Sequence, residues 1–158
     1  NILQNLEILE REKIDIDNRF SEWYNSSFLY GDSKNYYKQL YDTYIEKYNT
    51  LVNLCTTVAN KEDYVSDEER LAIDDAENEM LIALNDFFRE SEVVVNVIMS
   101  NEMNYIKNNL SKEFNDVNNA INNLNNQMNE SFKDGIITEL ELRDIENILQ
   151  MIMVIQFA

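Results

Sequence analysis

Proline is absent from all 158 residues and glycine occurs only twice. Nothing in the chain therefore removes a backbone donor from a helix, and almost nothing eases the backbone out of helical torsion angles. A chain with so few breakers is confined to long helices joined by short polar turns, and an all-α fold is expected.

The apolar periodicity places the helices. Ile2, Leu6, Leu9, Ile16, Phe20 and Trp23 advance by threes and fours, with Lys13 on the same stripe, and predict an amphipathic helix to about Asn25. Ser26, Ser27, Gly31, Asp32 and Ser33 gather turn-formers, and Asp32 or Ser33 is placed to cap the next helix. That helix carries Tyr37, Tyr41, Tyr44, Tyr48, Leu51, Cys55 and Val58 on one face. Tyrosines at this spacing can form a platform for carbohydrate or peptide, but core packing is the expectation. Ser66, three residues before Glu69, has the spacing of a capping box and opens a third helix. Its stripe is Ile73, Ala76, Met80, Leu84, Phe87, Ser91, Val94 and Ile98, and no glycine interrupts it before Gly135.

Between residues 103 and 128 the composition turns to asparagine while the apolar residues keep a heptad. Phe114, Ile121 and Met128 hold one core position, and Met103, Leu110, Val117 and Leu124 hold the other. A seam so narrow should pair with copies of itself or with another helix, and its mixed side chains do not set the number of strands. After Asp134 and Gly135, Thr138 and Glu141 repeat the capping spacing before a last apolar helix.

This junction occurs twice. A shift of 72 residues lays Lys61 on Lys133, Val65 on Ile137, Ser66 on Thr138, Glu69 on Glu141 and Ile73 on Ile145. Asn1-Ile2-Leu3-Gln4 also returns as Asn147-Ile148-Leu149-Gln150. The expected organisation is a three-helix unit over 1–100 whose third helix continues into an Asn-rich coiled coil over 101–131. The loop and first helix of a following unit occupy 132–158, as in a slice through a tandem array. The start on Asn1 and the apolar run from Met151 to Ala158 fit a piece cut from a longer chain.

Charge and missing residue types narrow the function. Thirty acidic against 13 basic residues leave a net charge of −17, which repels nucleic acid and anionic membranes. No apolar run reaches the length of a membrane span. Without histidine there is neither the usual general base nor the Glu-x-x-His pair of a carboxylate metal bundle, and Cys55 has no second cysteine. The stretch from Asp134 to Glu141 matches the second half of a calcium loop, but Glu130 and Phe132 fall where earlier oxygen ligands belong, so no ion is expected. Acidic neighbours such as Asp74 with Asp75, or Glu77 with Asp86, read as solvated helix faces. No catalytic residue, cofactor or metal is expected, and the chain reads as non-enzymatic.

The run from Asp116 to Leu124, followed by Ser131-Phe132-Lys133-Asp134-Gly135-Ile136-Ile137-Thr138-Glu139, resembles the repeated helical segments of minor structural and tail-tip proteins of long-tailed phages and prophages of Gram-positive bacteria. Lys13-Ile14-Asp15-Ile16-Asp17, Trp23-Tyr24-Asn25-Ser26-Ser27, Ser66-Asp67-Glu68-Glu69 and Ile73-Asp74 match further motifs of that family, while Glu62-Asp63-Tyr64 replaces a turn that commonly contains glycine. The resemblance implies a virion tail, baseplate or fibre component in which helical units act as scaffold or spacer. It also implies a homo-oligomer, with a trimer favoured, alongside other tail proteins, and brings no catalytic residues. The competing expectation is a host-receptor or surface-binding module, adhesin-like, using aromatic residues near Trp23, Tyr24, Tyr30, Tyr36 and Tyr37.

Overall fold

The computed structural model describes residues 2–133 and 139–157, with the side chains of 139, 140, 156 and 157 left aside. Four helices follow one another: α1 (Ile2–Tyr24), α2 (Gly31–Ala59), α3 (Asp67–Lys133) and α4 (Glu139–Phe157). Among the described residues there is no strand, and the all-α class is as the composition requires. The chain divides into two compact units, Asn1–Glu102 and Met103–Ala158, and α3 contributes to both.

In the first unit α1, α2 and the start of α3 enclose one core. Most buried residues are stripe residues: Ile16 from α1, Tyr37, Tyr44, Tyr48, Leu51 and Cys55 from α2, and Ala76, Met80, Phe87, Val94 and Ile98 from α3; on α3, Ala83 is buried off the stripe while the stripe's Leu84 is half-buried. Phe20 joins the three helices, stacked on Tyr41 at 3.9 Å between ring centroids and tilted against Phe87 at 6.4 Å. Tyr37 stacks on Phe87 at 5.2 Å. Rings of this size contribute about 1.5–3 kcal/mol each when removed from water, so the aromatic layer is the main fastening of the unit.

Polar groups in this core find partners. Ser91 Oγ donates to the Phe87 carbonyl at 2.8 Å, which leaves it to accept from the Tyr37 hydroxyl at 3.1 Å. Tyr41 donates to the Asp17 carboxylate. Lys13, the polar interruption of the first stripe, ends on Asp17 at 2.7 Å and lies over the Tyr48 ring at 5.7 Å from its centroid. Its stem stays on the apolar side while its charge is held at the rim.

The α1–α2 turn differs from the sequence expectation. Neither Asp32 nor Ser33 is the cap: Tyr30 precedes the helix in extended backbone without a side-chain cap bond, and α2 begins at Gly31. Gly31 has φ +66°, a value open to glycine and strained for other residues, so the chain swings into the helix before the expected caps. Asp32 thereby falls in the first turn, where its negative charge faces the unpaired N–H groups. Upstream, the Phe28 N–H donates to Ser26 Oγ at 3.2 Å and Leu29, 2% exposed, plugs that end of the core. Asn101 Nδ2 donates to the Phe28 carbonyl at 2.7 Å, tying α3 to the turn near the first unit's last residue.

At the start of α3 both bonds of a capping box are present. The Glu69 N–H donates to Ser66 Oγ at 3.1 Å, and the Ser66 N–H reaches Glu69 Oε1 at 3.5 Å. Lys61 adds an ion pair to the same carboxylate.

In the second unit α4 runs back along α3. Ile148 stands beside Asn123, Asn126, Gln127 and Glu130 around a shallow groove, so the two helices form an antiparallel hairpin. The α3 side withdrawn from solvent is Val117, Ala120, Leu124, Gln127 and Ser131. Ala120 and Ser131 are buried, at 2% and 0% exposure, and their small size lets the helices approach closely. The α4 side is Glu141, Ile145, Ile148, Ile152 and Ile155, all half-buried.

Ile2, Leu6 and Leu9 are half-buried with exposed residues between them, and Ile148, Ile152 and Ile155 repeat that phase.

Candidate functional site

The asparagine-rich half of α3 is helical throughout, and its polar side chains leave the apolar positions to determine what it can bind. The seven seam residues do not share one environment. Val117 and Leu124 are half-buried on the side that carries α4. Met103, Leu110, Phe114, Ile121 and Met128 are 54%, 59%, 68%, 39% and 38% exposed. The heptad is thus split: one chain covers part of its own seam with α4 and leaves the rest to solvent. Periodicity located both halves but could not separate them, because a helix supplies a stripe whether its neighbour is its own chain or another.

Of the four capping residues, Ser66 and Glu69 make the bonds described above. Glu141 lies in the first turn of α4 and is half-buried, while Thr138 falls outside the described residues, as do Asp134, Gly135, Ile136 and Ile137 of the half calcium loop. The Lys61 ammonium, hydrogen-bonded to Glu69, holds that carboxyl below the usual carboxylate range, with the Ser66 bonds adding to the effect.

The aromatic residues of the surface-binding reading are also divided. Tyr37 is fully buried in the core, whereas Tyr30 and Tyr36 are 64% and 50% exposed. Trp23 and Tyr24 are half-buried. Tyr24 stacks on Phe20 at 4.8 Å and receives the Lys34 ammonium over its ring at 4.6 Å. The five therefore form no continuous platform. Trp23 lines an open groove of about 830 Å³ with Arg19, Glu22, Phe88, Glu92 and Asn96, and the Arg19 guanidinium lies over the Phe88 ring at 5.1 Å.

The acidic pairs sit on open helix faces: Asp74, Asp75 and Glu77 are exposed, and Asp86 pairs with Arg89. Among the described residues no group of three or more histidine, cysteine, aspartate or glutamate side chains is placed to hold a metal ion. No described helix is long and apolar enough to cross a membrane. Burial, with Glu77 nearby, pushes the Cys55 thiol up, which keeps it protonated and unreactive at neutral pH.

No protein-family model matches the chain, and no solved structure matches it.

Proposed function

We propose that the chain is a non-enzymatic structural segment: a helical scaffold or spacer in the tail, baseplate or fibre of a long-tailed phage or prophage of Gram-positive bacteria, working in the virion. The observation that carries this reading is α3. A single helix of 67 residues lends its first part to a closed aromatic core, and its later part presents apolar side chains at seven-residue spacing to solvent. A segment built in this way transmits position and joins other helices; its function is mechanical. Self-association and contact with other tail proteins belong to the same proposal, which draws its biological setting from the resemblance of the Asp116–Glu139 region.

The test is to purify phage particles from the bacterium that encodes the chain, identify their proteins by mass spectrometry and label them with gold-conjugated antibody. Peptides from this chain and gold on the tail are expected, while particles that lack both would overturn the proposal. A second reading, host-surface binding, draws on the groove at Trp23. Retention of fluorescent chain on host cells, lost in Trp23→Ala, would favour it.

A further inference from the structure

We propose that the second unit docks onto the same unit of a second copy of this chain, through one side of the α3–α4 hairpin. The inference rests on the scaffold reading and names the surface and the partner. Successive residues turn by about 100° around a helix. Roughly a quarter turn from the α4-facing side of α3 lie Phe114, Ile121, Met128 and Phe132, at 68%, 39%, 38% and 60% exposure. A quarter turn in the same sense from the α3-facing side of α4 lie Leu142, Leu149 and Met153, at 48%, 43% and 57%. When two helices run antiparallel, equal turns, each viewed from its own N-terminus, lead to the same side of the pair. Seven large apolar side chains thus share one side of a layer two helices wide, and a helix layer buries such a side against another layer.

Charge identifies the second layer. The chain carries a net −17, so two copies repel over most of their surface. Asn1–Glu102 holds 22 acidic and nine basic residues, a net −13, whereas residues 103–158 hold eight and four, a net −4; within them 103–133 is balanced at three of each, Glu113, Asp116 and Glu130 against Lys107, Lys112 and Lys133. The outer flank of the α3 stripe is Ser111, Asn115, Asn118, Asn122, Asn125 and Asn129, with Lys133 at its end, and Glu146 and Arg143 stand on the corresponding flank of α4. Charged flanks choose an unlike partner through opposite charge; from Ser111 to Asn129 this flank has none. That stretch offers no grip to a basic partner and no repulsion to a copy of itself, and asparagine amides both donate and accept, so identical flanks satisfy one another. The resulting contact is self-complementary and closes at two copies. Three strands wound on the full heptad would need Val117 and Leu124, which lie on the side that carries α4.

The experiment is the mass of the 158-residue chain, by light scattering after size exclusion, over a range of concentrations and at low and high salt. The expected species has twice the chain's 18.7 kDa and is strengthened by salt, which screens the repulsion. Ile121→Glu on α3 and Leu149→Glu on α4 should each raise the dissociation constant about 30-fold or more, with the helical circular dichroism unchanged. Leu149→Gln replaces the latter should it lose helix. A monomer at every concentration overturns the proposal. So does a trimer, or any oligomer that survives both Leu149 variants; these results leave the scaffold reading standing. Absence from phage particles removes the scaffold reading and leaves a measured dimer intact.

Discussion

The two parts of α3 put their apolar residues, 17 of 36 in 67–102 and 11 of 31 in 103–133, to different ends. In Asn1–Glu102 it meets α1 and α2, and Met80, Phe87, Val94 and Ile98 fall to 6% exposure or less. Within Met103–Ala158 its described neighbour is α4: Ala120 and Ser131 are buried, while Phe114, Ile121 and Met128 stay open. A stripe of apolar residues wider than one neighbour can cover is closed by two neighbours and left open by one. Closure of the stripe therefore depends on how many helices surround α3: in the first unit the exposed apolar residues, such as Leu71, Ile82 and Met99 at 61%, 62% and 61%, lie off the stripe, whereas in the second they belong to the heptad itself.

The comparison is broken most directly at Phe87. Phe87→Ala should destabilise the first unit by about 3–5 kcal/mol, read as a lower urea midpoint in Trp23 fluorescence. A loss below about 1 kcal/mol would mean that the aromatic layer is not the fastening described above. Alkaline pH attacks the same layer. Burial raises the tyrosine hydroxyl values of Tyr37, Tyr41 and Tyr44, with the Asp17 hydrogen bond adding to the effect at Tyr41. Their stabilisation is complete below the unfolded value of about 10 and is lost as pH rises above it through the raised folded values. Urea midpoints followed from pH 8 upward should fall, and Tyr44→Phe should flatten that fall; an unaltered slope would place its hydroxyl in water.

Smaller effects come from the helix start and the open face. Ser66→Ala should cost about 1 kcal/mol, measured by thermal unfolding. The Glu69 carboxyl is held low, so its support is complete above the unfolded value of about 4.3 and disappears as pH falls through the folded one; Glu69→Gln should remove this acid dependence. Least of all, Phe114→Ala should change the stability of the isolated chain by no more than about 0.5 kcal/mol while weakening self-association in sedimentation. A large loss in the monomer would show that Phe114 is packed within its own chain.

Much of this was legible from local pattern. The stripe in α2 runs from Tyr37 to Val58 without a miss, and six of its seven members are buried. Ser66 and Glu69 were readable because a capping box involves one short segment. The start of α2 was misplaced because Asp32 and Ser33 are good caps in isolation, while the positive φ at Gly31 brings the helix in ahead of them. Asn101 gave no signal at all: its bond to the Phe28 carbonyl spans 73 positions, and nothing in an asparagine-rich stretch distinguishes one amide from its neighbours.

Absence of proline, scarcity of glycine and three-four spacing committed the chain to long helices, because helix formation is settled by torsion angles and contacts within a few residues. Which side of each helix became interior was a different matter. Val117 and Phe114 stand three residues apart in one heptad, and only the path of α4 sheltered the first and left the second exposed. Burial is a property of neighbours brought together across the fold, and a periodic stripe describes a surface before it has any.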